Sequence, residues 1–181
     1  MMPDFTLIEG KAWHCGAIVR RLRHGHLEQL YRAGIDIHRE LRVSFDSSSY
    51  RRTWLIDGKI AGMGGIIGSD ISASGFVWIA VTEAARKYPL QIIRTVRGEL
   101  DQILALKHQL TCIVLPYDEP ACRFAAFMGF RVAASQVDYQ GYSRTGRRHL
   151  TRFLRDEPEL RVPFGSGFCV PMACSRDMEK L

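Results

Sequence analysis

The sequence predicts a mixed α/β domain whose central, mostly antiparallel sheet is flanked by helices. Residues 53–67 contain two apolar segments around Asp57-Gly58, which is the signature of a β-hairpin. Further along, an apolar segment at 75–81, an amphipathic helical pattern at 89–106 and an apolar segment at 110–115 follow one another. Hairpins that lead into a strand–helix–strand crossover are typical of mixed sheets.

The N-terminal half predicts one strand, two helices and the hairpin, in that order. Residues 16–22 have the composition of a strand, and residues 24–33 carry apolar side chains at helical spacing. Residues 36–45 predict a second helix, since Asp36 can cap its free N–H groups. The hairpin follows, with strands at residues 53–56 and 59–67.

The C-terminal half predicts alternating strands and helices. Continuous apolar character at residues 75–81 indicates a strand that is buried on both faces, and Pro89 suits the first turn of the helix at 89–106. The remaining elements complete the order β-α-α-β-β-β-α-β-α-β-β. They are a strand at 110–115, a helix at 120–128, a strand at 130–139 that ends near a turn at Gly141, and a last strand at 149–154.

The length and composition are those of one folded domain. The chain has 181 residues, of which 46% are hydrophobic and 24% charged, and such a chain buries a core without disulfides or metals. We expect the domain to span residues 1–156, and residues 157–181, which are rich in proline and glycine, to form an irregular tail. No apolar run is long enough for a bilayer and no signal-peptide pattern is evident, so we expect a soluble cytoplasmic protein without membrane contact.

The charge and the cysteine pattern limit the classes of binding partner but do not identify one. The net charge of +6 comes largely from arginines, and basic surfaces attract nucleic acid, acidic proteins or the phosphates of a cofactor. The five cysteines lack CxxC spacing, which predicts reduced thiols and no zinc site. His24 and His26, two residues apart, would point to different sides of a helix, so no metal is expected.

Two segments carry a family resemblance. The sequence Cys122-Arg-Phe-Ala-Ala-Phe-Met-Gly-Phe130 follows an apolar strand. It resembles the Ala-x-x-Tyr-x-x-x-Gly-Phe pattern in the fourth helix of the Gcn5-related N-acyltransferases. Upstream, residues 79–94 form a strand, a loop and a helix start that resemble the cofactor-binding core of that family. The resemblance covers roughly residues 18–155 and implies transfer of an acyl group, first of all acetyl, from acyl-CoA to an amine within a ternary complex.

Within that family the chain is most similar to a phage and prophage branch. The features that carry this similarity are residues 36–40, residues 78–82 and the helix that follows Lys87-Tyr-Pro. The similarity implies a place in the cytoplasm of a bacterial host, with association with the virion as an alternative.

The resemblance also implies a cofactor site. The pantetheine arm would lie between the strand at residues 75–81 and the strand at 110–115, and its pyrophosphate would meet the following loop. That loop departs from the family pattern, because Pro89 and Gln91 replace two small residues and proline has no N–H to donate. The implied cofactor-binding residues are Ile79, Val81, Arg86, Lys87, Gln91, Arg94, Glu119 and Cys122.

The implied catalytic residues are Glu83 and Tyr117. Many family members protonate the leaving thiolate with a tyrosine where this chain has Ala125, and a methyl group cannot act as an acid. Tyr117, at the end of the preceding strand, is the nearest substitute. Glu83, just after the central strand, or a water held there would be the general base, and Glu40 on the second helix is the alternative.

Other functions stay open at this point. The lost small residues, Ala125 and the positive charge favour a non-catalytic virion or nucleic-acid-associated protein as the alternative to a transferase. A transferase that docks on nucleic acid and modifies a nucleobase would join the two hypotheses. The amine acceptor, whether protein, small molecule or nucleobase, is not identified, and a homodimer is a further open alternative.

Overall fold

One mixed sheet organises the chain in the computed structural model, which describes residues 3–22, 27, 36–114, 118–135 and 140–145. Within these ranges the strands are β1 (Phe5–Glu9), β2 (Ser48–Ile56), β3 (Lys59–Ile67), β4 (Ser74–Val81), β5 (Gln109–Val114), β6 (Arg131–Ser135) and β7 (Gln140–Thr145). The helices are α1 (Ala12–Val19), α2 (Ile37–Asp46), α3 (Pro89–Leu106) and α4 (Glu119–Phe127), with a 3-10 helix at Glu83–Lys87 between β4 and α3.

The strands lie in the spatial order β1-β2-β3-β4-β5-β7-β6. Of the described neighbours, β4 and β5 run parallel and every other pair runs antiparallel. A parallel pair needs a crossover connection, which α3 supplies. The predicted class, a mostly antiparallel mixed sheet flanked by helices, is therefore confirmed, and between residues 36 and 135 the elements follow in the predicted order.

The helices cover the two faces of the sheet in pairs. Alternate residues of β4 show the division, because Val77 and Ile79 pack with α3 and α4, whereas Trp78 and Ala80 pack with α1 and α2. All four side chains are at most 5% exposed. The prediction that this strand is buried on both faces is correct, and β4 is the structural centre of the fold.

The hairpin of β2 and β3 forms as predicted. Asp57 and Gly58 both have positive φ, at 49° and 71°, as the tight turn requires. Gly62 and Gly64 of β3 lie beneath the Trp54 indole, and a Cβ atom at Gly62 would come within 2.6 Å of that ring. The small residues of β3 therefore make room for a large side chain on β2.

Two sequence predictions were wrong. Residues 16–22 do not form the first strand, because α1 occupies residues 12–19 and the first strand is β1. The buried side chains Cys15, Ile18, Val19 and Leu22 recur at helical spacing, which explains the helix. The turn predicted at Gly141 is replaced by β7, which continues through that residue and pairs with both β5 and β6.

Several predictions fall outside the described residues. They are the helix at 24–33 apart from Leu27, the strand at 149–154, the tail at 157–181 and the side chain of Tyr117. The domain boundary near residue 156 stays a prediction for the same reason.

Candidate active site

The sheet opens between β4 and β5. The described ladder between them consists of Ser74 with Gln109, Gly75 with Leu110 and Phe76 with Thr111. Beyond this point β4 continues to Val81 and stays paired with β3, where Val81 lies opposite Gly62. Backbone groups on the β5 side of this stretch are left for another partner, and they provide a place for the amides of an extended ligand.

Two predicted cofactor residues, Ile79 and Val81, lie on this open stretch of β4. The Ile79 side chain is buried against α3, and Val81 is half-buried. Their backbone, rather than their side chains, is therefore the part that borders the opening.

The exit of β4 is held firmly. The backbone N–H and the hydroxyl of Thr82 both donate to the carbonyl of Ala61, each at 2.9 Å. The next N–H, of Glu83, donates to the carbonyl of Arg21 at 3.0 Å. These bonds fix the start of the 3-10 helix between β3 and the segment that follows α1.

The 3-10 helix stands where the family pattern predicts a phosphate-binding loop. The N–H of Ala85 donates to the Thr82 carbonyl, and the N–H of Tyr88 donates to the Ala85 carbonyl, at 3.1 and 3.0 Å. Backbone donors that an open loop would aim at a ligand are thus engaged within the chain. The sequence did not predict this helix.

The first turn of α3 adds backbone donors close by. The first N–H groups of a helix have no acceptor within it, and no side chain caps this helix. Pro89 is at its start and has no N–H, while the N–H of Ile92 already donates to Tyr88. The donors available to an anion here are therefore those of Leu90 and Gln91.

Charged side chains surround this turn. Arg86, Lys87 and Arg94 are exposed, and Gln91 is half-buried. Arg86 Nη1 donates to Glu83 Oε1 at 2.6 Å, with the two side chains 68% and 53% exposed. The structure thus brings five predicted site residues together, with the proposed base and a proposed phosphate ligand in direct contact.

Helix α4 presents its predicted site residues differently. Glu119 is exposed and ion-paired with Arg123, whereas Cys122 is 1% exposed and lies in the core next to Ala125. Gly129 ends the helix with φ at 83°, a conformation that favours glycine. The Gly-Phe pair that resembles the family motif therefore has a structural role in stopping α4 and burying Phe130.

The alternative base, Glu40, is half-buried on α2. Its Oε2 atom is inaccessible to solvent and has no hydrogen-bond partner among the described residues. A buried carboxylate oxygen without a donor is unfavourable, which keeps Glu40 as a candidate for contact with a cationic group.

A second polar cluster lies under α3, and the sequence did not predict it. Glu99 accepts a hydrogen bond from the Tyr50 hydroxyl, and Arg52 Nε lies 3.4 Å from the same carboxylate. Burial, followed by the Glu99 contact, raises the pKa of Tyr50 to about 12. The cluster borders a cavity of about 30 Å³ that also meets Trp54, and the residues that line this cavity come from β2, β3, β4 and α3.

Two kinds of site are absent from the described residues. None of their helices is both long and apolar enough to cross a membrane. No three of their His, Cys, Asp or Glu side chains come together as a set of metal ligands.

Comparison with known proteins identifies the fold. No protein-family model and no curated protein matches the sequence. Solved structures do match. An acetyltransferase of the GNAT family from Streptococcus pneumoniae superposes with a TM-score of 0.57 at 15% identity, over 78% of this chain and 99% of that chain.

Two of the matching structures contain acetyl-CoA or coenzyme A. The microcin C7 self-immunity acetyltransferase MccE, in complex with acetyl-CoA and AMP, has a TM-score of 0.57 at 9% identity, over 79% of this chain and 93% of that chain. The ribosomal L7/L12 α-N-protein acetyltransferase RimL, in complex with coenzyme A, has a TM-score of 0.57 at 10% identity, over 78% and 93%. The chain therefore has the fold of the Gcn5-related N-acetyltransferases.

Proposed function

We propose that the protein transfers an acyl group, in the first instance acetyl, from acyl-CoA to an amine within a ternary complex. The observation that carries this proposal is the end of the β4–β5 ladder at Phe76 and Thr111, while β4 runs on to Val81. A gap between two parallel strands with free backbone groups suits an extended, amide-bearing arm. The acetyl-CoA and coenzyme A complexes among the matching structures support the same choice of ligand.

The residues present fit the cofactor in two parts. The open edge of β4 at Ile79 and Val81 would hold the pantetheine amides. The N–H groups of Leu90 and Gln91, with the guanidinium of Arg86, would hold the pyrophosphate, since helix N-termini and arginine both suit phosphate. Lys87 and Arg94 add positive charge at the same turn, and Glu119, which is exposed in the first turn of α4, would contact the cofactor from that helix.

The bound cofactor would supply a thioester, whose carbonyl is open to attack by an amine. Glu83 stands at the exit of β4 and, in this proposal, takes the proton from the acceptor ammonium so that the neutral amine attacks. Tyr117 would return a proton to the leaving sulfur and stays a prediction. Glu40 is the alternative base. Cys122 is buried in the core, so its proposed contribution is packing beneath the cofactor.

A non-catalytic protein is the second candidate. It is favoured by the 3-10 helix, in which the N–H groups of Ala85 and Tyr88 are engaged with chain carbonyls, and by Pro89 at the start of α3. Ala125, in the position of the usual acid, is fully buried. In this alternative the acyltransferase fold serves a virion or nucleic-acid-associated role. A transferase that docks on nucleic acid and a homodimer are two further proposals.

Titration calorimetry with acetyl-CoA and with CoA tests the leading proposal. We expect a Kd in the micromolar range, which is ordinary for cofactors. Arg86→Ala should raise that Kd about three- to tenfold, because a charge-assisted contact to phosphate is lost. The control is Arg42→Ala, which removes an exposed arginine that is also ion-paired, but on α2, and should leave Kd unchanged.

The opposite result would favour the second candidate. Absence of heat at high CoA concentration would mean that Pro89 and the 3-10 helix close the phosphate site. Salt-sensitive retention of DNA by the same preparation would then support the nucleic-acid role. A positive titration would justify a screen of amine acceptors, followed by Glu83→Gln and Tyr117→Phe in the resulting assay.

A further inference from the structure

The contact between Glu83 and Arg86 follows from the backbone. In a 3-10 helix the side chains at positions i and i+3 lie directly above one another. Glu83 and Arg86 have this spacing within the helix Glu83–Lys87, and Arg86 Nη1 lies 2.6 Å from Glu83 Oε1. Their contact is thus built into the segment that joins β4 to α3.

The Glu83 backbone is fixed independently of its side chain. Its N–H is bonded to the Arg21 carbonyl, and the preceding Thr82 is buried and bonded to Ala61. Ala85, between the two charged residues, is buried at 5% exposure and anchors the inner side of the helix. A change at the Glu83 side chain should therefore alter the ion pair without displacing the helix.

The ion pair is weak enough to be exchanged. Both side chains are more than half exposed, and pairs of this kind contribute at most about 1 kcal/mol. A phosphate can occupy an arginine fork through two parallel hydrogen bonds and carries more charge than a carboxylate. A phosphate that arrives at the first turn of α3 would thus be favoured over Glu83 as the partner of Arg86.

We propose that Glu83 competes with the phosphates of the cofactor for Arg86, so that cofactor binding releases the Glu83 carboxylate. The inference rests on the proposed function, and it adds an order of events at the same site. Before the cofactor binds, the Glu83 carboxylate is engaged by Arg86. Once the phosphates take Arg86, the carboxylate is free to accept the proton from the nitrogen of the acceptor.

A double-mutant cycle on CoA affinity tests this coupling. In the wild-type background, Glu83→Gln should lower the Kd for CoA about two- to fivefold, the range that an exposed ion pair can supply. In an Arg86→Ala background the same change should have no effect, because there is no longer an arginine to release. Equal tightening in both backgrounds would overturn the proposal, since it would mean that Glu83 simply repels the phosphates at a distance.

A matched control separates this contact from net charge. Asp46 is 53% exposed, like Glu83, and is paired with Arg42 at 2.7 Å on α2. Asp46→Asn should leave the Kd for CoA unchanged, and tightening equal to that of Glu83→Gln would overturn the proposal. If CoA binds every variant with one affinity, this inference and the placement of the phosphates at Arg86 fail, while the proposed use of acyl-CoA stands. If CoA binds none of them, both fail.

Discussion

The two ends of β4 are held in different ways. At its N-terminal end, residues Ser74 to Phe76 are paired with β5, Phe76 is paired with β3 as well, and the flanking loop is tied to the end of α3. At its C-terminal end the strand is paired with β3 but separates from β5. One strand thus combines an end that stabilises the fold with an end that is available to a ligand.

We call residues Ser74 to Phe76 the closed end of β4 and residues 77–81 the open end. Contacts at the closed end are numerous and specific. The ammonium of Lys107 donates to the carbonyls of Ser69 and Ser72 at 2.9 and 3.1 Å, although the residue is only 6% exposed. The N–H groups of His108 and Gln109 both donate to Ala73. The approach of β5 to β4 is therefore fixed by the turn before β4 as well as by the ladder.

The contrast shows where sequence changes should act. Substitutions at the closed end should reduce the free energy of unfolding. Exposed side chains that follow the open end, such as Arg86, should change ligand binding with little effect on stability, because surface substitutions usually alter stability by less than about 0.5 kcal/mol.

The largest effect on stability is expected from Gly75→Ala at the closed end. A Cβ atom there would lie 2.7 Å from Ile66 Cγ2 and 3.0 Å from Lys107 Cδ. Overpacking of this kind costs about 2 kcal/mol, which urea unfolding would measure. Gly98→Ala is the control, because that position in α3 has no neighbour within 4 Å, and alanine there should stabilise by about 0.5–1 kcal/mol. Equal effects of the two substitutions would contradict the contrast between the ends.

Elements with strong local signals were predicted well from the sequence. The boundaries of α3 were predicted to the residue, because Pro89 marks its start and a single apolar stripe runs to its end. The cap of α2 was predicted as well, and Asp36 does accept from the N–H groups of His38 and Arg39. The hairpin turn is a third example, since Asp57-Gly58 demands a conformation that few other pairs adopt.

The wrong first strand has a local cause. Residues 16–22 contain the run Gly-Ala-Ile-Val, which favours a strand by composition. The helical signal was present in the spacing of Cys15, Ile18, Val19 and Leu22, but it becomes clear only if a cysteine is counted as apolar. Burial of that stripe against the sheet decided the conformation.

The site depends on interactions that local sequence does not encode. The opening of the sheet is set by the register in which β5 meets β4, and these strands are separated by the whole of α3. The polar cluster under α3 joins Tyr50 to Glu99, which are 49 positions apart in the sequence. Glu83 was predicted as the base from its position after β4. Its contact with Arg86 requires a 3-10 helix, and a polar segment of this length does not predict one.

The second expected effect concerns Lys107→Met. The substitution keeps most of the apolar stem and removes the ammonium that binds the Ser69 and Ser72 carbonyls. We expect a loss of about 1.5 kcal/mol in the free energy of unfolding, the range for hydrogen bonds from a charged donor. Lys59→Met, at an exposed position beside the hairpin turn, is the control and should change stability by less than about 0.5 kcal/mol. A neutral Lys107→Met would mean that the loop does not need this tie.

Thr82→Val at the exit of β4 should have a smaller effect. The hydroxyl bond to the Ala61 carbonyl is lost, but that carbonyl still accepts the N–H of residue 82. We therefore expect a loss of about 1 kcal/mol or less and an unchanged Kd for CoA, because the backbone anchors of the 3-10 helix remain. A large rise in Kd with unchanged stability would show instead that Thr82 contacts the ligand.

The smallest effect is a pH dependence behind the open end. His14, on α1, is hydrogen-bonded to Thr53 of β2. Thr53 lies opposite Met63 of β3, and Met63 in turn lies opposite Ala80 near the C-terminal end of β4. Burial, with a smaller contribution from Lys11, lowers the pKa of His14 below its ordinary value of 6.5. Its Nδ1 atom accepts the N–H of Lys11 at 3.1 Å, and it can do so only while that nitrogen carries no proton.

Stability should therefore fall as His14 becomes protonated. Because the folded-state pKa is lowered, the unfolded chain binds more protons between that pKa and 6.5, and the free energy of unfolding decreases as pH falls through this window. The contribution is fully present above 6.5. Urea unfolding of the wild type and of His14→Gln at several pH values would measure it, and the difference between their stabilities should shrink as pH is lowered. If the two plots of unfolding free energy against pH run parallel, protonation of His14 does not affect stability. The two ends of β4 would then differ only in their pairing with β5.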